Sequence, residues 1–84
     1  MNERRETRRQ QRLRTYVRAE IMRYRDELDG KRPADMKAAE REIERRLRSR
    51  YTGAFNEVDW RFVLQVIAKL LPLILLFLED FEEG

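Results

Sequence analysis

One long apolar run near the C-terminus constrains this chain more than any other feature. From Val58 to Leu78, sixteen of twenty-one residues are apolar, and the exceptions are Asp59, Arg61, Gln65, Lys69 and Pro72. Arg61, Gln65, Lys69 and Pro72 recur at steps of four, four and three, so on a helix they line one narrow face. A helix with so thin a polar stripe needs cover around most of its circumference. The remainder of the chain offers little, since 42% of the 84 residues are charged.

The start of the run reads as a helix N-terminus. Asn56 is a good N-cap, Asp59 sits three residues on, and Phe55 and Trp60 hold the positions of a hydrophobic staple. Asp59 also sets a negative charge in the first turn, where the helix dipole favours it. Pro72 removes the backbone bond to Ala68 and predicts a kink there. The leucine-rich stretch after it continues as helix, so the apolar helix is expected over 56–80.

Two further helices precede it. Leu13, Val17, Ile21, Tyr24 and Leu28 form one stripe at 3.6-residue periodicity, predicting a helix from Arg4 to Asp29 that Gly30 closes. Tyr16 and Met22 widen that stripe, and the first dozen residues lack one, so 1–12 is expected as a basic arm with a frayed end. Met36, Ala39, Ile43, Leu47 and Tyr51 form the second stripe, on a helix starting near Pro33 and ending at Thr52–Gly53. Its other faces alternate acids and arginines, with Glu42–Arg46 and Glu44–Arg48 at helical spacing, each pair contributing about 0.2–0.5 kcal/mol. Three glycines and two prolines are too few for an all-β design. The expected fold is therefore all-α, one domain over 1–84: a helical hairpin plus a third, strongly apolar, Pro-kinked helix, in a small oligomeric three-helix unit.

The chain has no cysteine and no histidine. Disulfide frameworks, thiolate–imidazole zinc sites and Cys–His or Ser–His nucleophiles are excluded. Ser49, the only serine, lies between Arg48 and Arg50. No catalytic residue, cofactor or metal ligand is expected. The acidic group Glu79, Asp80, Glu82 and Glu83 reads as a solubilising terminus.

The formal net charge of +3 hides a gradient. Residues 1–25 hold nine arginines against three glutamates, whereas residues 53–84 hold two basic and six acidic side chains. Arg4, Arg5, Arg8, Arg9, Arg12, Arg14 and Arg18 make a broad cationic face on a helix, and the stretch 8–14 resembles arginine-rich peptides that bind nucleic-acid phosphates. A guanidinium suits phosphate because its planar fork bonds bidentately and stays charged. A solvated, solubilising helix end is the plainer reading of the same residues.

The stripes of the first two helices are expected to cover only part of the third. The expectation is that Trp60, Leu64, Ile67, Leu71, Ile74, Leu75 and Leu78 meet another copy of the chain or a larger assembly. The corresponding function is a non-enzymatic structural or adaptor role, in the cytoplasm or within an assembled particle, with the arginine head on nucleic acid. No secretory signal is read at the N-terminus. The alternative is a tail-anchored, holin-like or pore-forming membrane protein with its N-terminus inside. Twenty-one helical residues span roughly 30 Å, enough for hydrocarbon. Lys69 at mid-span costs about 2.5–3.5 kcal/mol, which the flanking apolar residues only about offset.

Overall fold

The computed structural model of the chain describes residues 6–77. Among them the fold is all-helical, with α1 at Arg8–Leu28, α2 at Met36–Arg50 and α3 at Glu57–Pro72, followed by a π-helical segment at Leu73–Phe77. Arg4, Arg5, Leu78 and the acidic group from Glu79 onward lie outside the described residues.

Local chemistry sets each boundary. α1 starts at Arg8 rather than Arg4 because Thr7 and Gln10 form a capping box: the Gln10 N–H donates to Thr7 Oγ1 and the Thr7 N–H to Gln10 Oε1, both at 3.0 Å. Of the expected arm, Thr7–Arg12 thus begin with a capped helical turn, and residues 1–5 lie outside the described residues. The helix closes on Asp29 (φ 54°) and Gly30 (φ 82°), two successive left-handed residues.

α2 begins at Met36, three residues later than Pro33 suggested, because the Asp35 carboxylate accepts from the Lys37 N–H at 3.0 Å and the Ala38 N–H at 3.4 Å. Gly53 (φ 76°) turns the chain after Tyr51, as the sequence suggested. At α3 the expected cap is present: the Asp59 N–H donates to Asn56 Oδ1 at 2.8 Å and the Asn56 N–H to Asp59 Oδ2 at 2.9 Å. The staple closes too, with the Phe55 and Trp60 rings edge to face at 5.0 Å. Regular α geometry stops at Pro72, which has no N–H to give, and the wider π turn takes over.

Each of the three helices touches the other two, and the π turn packs on α1 and α3. Leu13, Val17 and Ile21 from α1, Ala39, Ile43 and Leu47 from α2, and Val63, Val66, Ile67 and Leu71 from α3 form one core, extended by Ile74 and Leu75. Burying a Val, Leu or Ile side chain contributes about 1.5–3 kcal/mol.

This core takes up four of the seven side chains expected to dock. Ile67, Leu71, Ile74 and Leu75 are at most 7% exposed within the single chain, so they are spent on its own core. The hairpin covers more than its two five-residue stripes alone would, because Tyr16 and Met22 beside the first stripe and Phe55 after α2 also pack against the core. The outer face of α3 also needs less cover than a count of apolar letters implies, since Arg61, Gln65, Ala68 and Lys69 lie there, exposed. Val58, Leu64 and Leu73 are exposed but dispersed. Val58 and Leu73 stand roughly 22 Å apart along the axis, and Leu64 points about 120° away from Val58. Single exposed apolar side chains of this kind are ordinary. No helix among the described residues is long and apolar enough to cross a membrane.

Candidate nucleic-acid interface

α1 divides the expected cationic face into committed and uncommitted arginines. Arg9 lies on the α3 side of the helix, where its Nε donates to Asp59 Oδ1 at 2.9 Å and its Nη2 to Asp59 Oδ2 at 2.5 Å and to the Ala54 carbonyl at 3.3 Å. The Asp59 side chain is only 6% exposed. Its carboxyl is held below the usual range, first by the Arg9 guanidinium and further by the Asn56 N–H. Arg14 pairs with Glu6 and lies 6.0 Å from the centre of the Phe62 ring. The Glu6 carboxyl is lowered by Arg14, with Lys69 adding a smaller attraction.

Arg8, Arg12 and Arg18 are exposed, and none of them makes an ion pair among the described residues. Arg8 and Arg12 stand one turn apart on the same flank of α1, while Arg18 points about 120° away from Arg12. The described arginines thus form one close pair and one outlier instead of a single broad face.

Among the other described arginines, Arg23, Arg45, Arg46, Arg48 and Arg50 are paired with acids, whereas Arg41 and Arg61 are exposed and make no ion pair among the described residues. In α2, Arg45 and Arg46 converge on Glu42, with Arg46 also holding Glu27 through two bonds at 2.7 and 2.9 Å. This double hold drives the Glu42 carboxyl down to about 2. Arg48 pairs with Glu44 at 2.8 Å, so both ion pairs expected from the helical spacing, Glu42–Arg46 and Glu44–Arg48, are present. Glu20 of α1, 1% exposed, accepts from Arg50 Nε at 2.9 Å and from Arg23 Nη1 at 3.3 Å, with Arg46 at 4.0 Å.

Beside Arg12, the end of the bundle carries an aromatic cluster that the stripe readings of Tyr16 and Tyr51 did not foresee. Tyr16 of α1, Tyr51 at the end of α2 and Phe55 in the following loop are all partly exposed, and their rings are parallel within 18°. The centroid distances are 4.6 Å for Tyr16–Tyr51, 5.3 Å for Tyr51–Phe55 and 6.3 Å for Tyr16–Phe55. These close a triangle, so the three rings do not form a linear stack. Trp60 meets Phe55 edge-on and is covered by Arg48, whose Cζ is 4.1 Å from the indole centre. Arg9, Arg12, Tyr16, Tyr51 and Phe55 line one open cleft between α1 and the α2–α3 loop. The signal for it lies in aromatic residues at the ends of elements, but only the fold brings three separate segments together. No protein-family model, curated protein or solved structure matches the chain.

Proposed function

We infer that this protein is a non-enzymatic helical adaptor that grips the phosphate backbone of nucleic acid through the N-terminal half of α1. The observation that carries this reading is the uncommitted charge of Arg8 and Arg12, adjacent on one flank in a fold where Arg9, Arg14, Arg45, Arg46, Arg48 and Arg50 all have carboxylate partners. A guanidinium without an internal acid is free to replace a phosphate's counterions. Arg18, on the neighbouring flank, extends the contact around the helix, and the folded helix fixes the arginines at set spacing before binding. Docking through the apolar helix is not carried forward, because Ile67, Leu71, Ile74 and Leu75, four of the seven side chains expected to make it, line the chain's own core.

The test is a salt titration of binding to a generic labelled oligonucleotide. Affinity falls steeply between about 50 and 200 mM salt. Arg8→Gln with Arg12→Gln weakens binding to all sequences alike and makes the salt slope shallower by about two. Arg61→Gln, on the outer face of α3, leaves it unchanged. No binding at low salt, or binding indifferent to the Arg8 and Arg12 changes, would contradict the reading.

A further inference from the structure

We propose that the strand held by these arginines is single-stranded, with one unpaired base stacking on the Tyr16–Tyr51–Phe55 platform. The inference rests on the nucleic-acid reading above and adds the class of strand. A duplex keeps its bases paired and stacked, so only the edges face outward, and a flat aromatic platform has nothing to hold. An unpaired base offers its whole face. Parallel rings that are partly exposed, lying in one cleft with Arg9 and Arg12, place a π surface beside a cationic one. That is the pairing a nucleotide presents in reverse: a planar base joined to an anionic phosphate.

The arrangement is also held in place. Arg9 is fixed on Asp59 and the Ala54 carbonyl, which anchors the loop that carries Phe55. Trp60 braces Phe55 from its edge. The exposed Arg12 guanidinium has no acid partner among the described residues, so it is the group at this cleft that meets the phosphate. Stacking reads the face of a base and not its hydrogen-bonding edge, so the site discriminates strandedness with little regard to sequence.

The experiment uses the full chain and three labelled probes of equal phosphate number at low salt: an oligothymidylate, a strand of abasic sites, and a duplex. The oligothymidylate binds at least about fivefold more tightly than either of the others, the minimum for one stacked base. Tyr16→Leu, checked for helicity by circular dichroism, brings the oligothymidylate down to the level of the abasic strand and leaves the abasic strand itself unchanged. Equal binding of all three probes by the unaltered chain removes the stacking proposal and leaves phosphate binding standing. No salt-sensitive binding to any probe removes both. Because the probe comparison uses the unaltered chain, it decides the matter even if Tyr16→Leu fails to fold.

Discussion

Arg9 and Asp59, fifty positions apart in sequence, are joined by two hydrogen bonds, from Nε to Oδ1 at 2.9 Å and from Nη2 to Oδ2. The same carboxylate caps α3 through the Asn56 N–H, so one side chain ties the first turn of α1 to the first turn of α3. Its helix-capping and interhelical roles are therefore coupled.

A double-mutant cycle tests that coupling. Asp59→Ala removes the Arg9 pair and the bond to the Asn56 N–H together, at a cost of about 1–3 kcal/mol. For a domain of this size each kcal/mol lowers Tm by about 4–8 °C. Arg9→Gln is milder, since the cap survives. The double variant then loses little beyond Asp59→Ala alone, namely the Arg9 bond to the Ala54 carbonyl, measured by urea denaturation. Full additivity of the two losses would show that the pair contributes nothing.

Glu20 presents a different case, a buried carboxylate among arginines that reach solvent. Glu20→Ala leaves Arg23, Arg46 and Arg50 without it and opens a gap, for a loss of about 1–3 kcal/mol. Glu20→Leu fills the space with apolar volume and lets the three arginines turn to water, so it costs less. Thermal melts of the two variants check the order. A greater loss for Glu20→Leu would mean that the carboxylate organises the arginines beyond what packing can replace.

The ion pairs also set a pH profile. The carboxyls of Glu6, Glu27, Glu42 and Asp59 are all held below their ordinary values by arginine partners. A depressed carboxyl contributes stability that is complete above its unfolded value and is lost as the pH falls through its folded one. For Glu42 that window runs from 4.5 down to about 2. With no histidine and no cysteine in the chain, Tm should stay flat from about pH 5.5 to 8. It should then fall steadily on acidification, and Glu42→Gln should flatten the lower part of the fall. A Tm that rises below pH 4 would contradict this assignment.

Periodicity and capping chemistry made much of the fold legible. The stripes Leu13–Val17–Ile21 and Ala39–Ile43–Leu47 are core, and the Asn56–Asp59 cap and the Phe55–Trp60 staple stand where the residue types placed them. Boundaries set by a side chain's choice of backbone partner were harder to read: Thr7 with Gln10 and Asp35 with Lys37 override Arg4 and Pro33 as starting points. The candidate site was legible only as a list of arginines. Which of them are neutralised depends on contacts across 8 to 50 positions, such as Arg14–Glu6 and Arg9–Asp59, and spacing along one helix carries no information about them. The Tyr16–Tyr51–Phe55 platform was hidden for the same reason.

The inner face of α3 is buried by its own chain, and the proposed nucleic-acid role belongs to the arginine-and-aromatic end. Leu71, 0% exposed, is the side chain that decides it, and Leu64, 41% exposed, is its control on the same helix. A carboxylate at position 71 would be buried without a partner, at a cost of several kcal/mol. The decisive measurement is circular dichroism with sedimentation on the unaltered chain, Leu71→Asp and Leu64→Asp across a range of concentrations. Leu71→Asp is expected to lose its helicity at every concentration while Leu64→Asp keeps both helicity and mass. A Leu71→Asp chain that stays helical and only falls to a smaller mass would contradict it, because the helix would then have been buried by a neighbour.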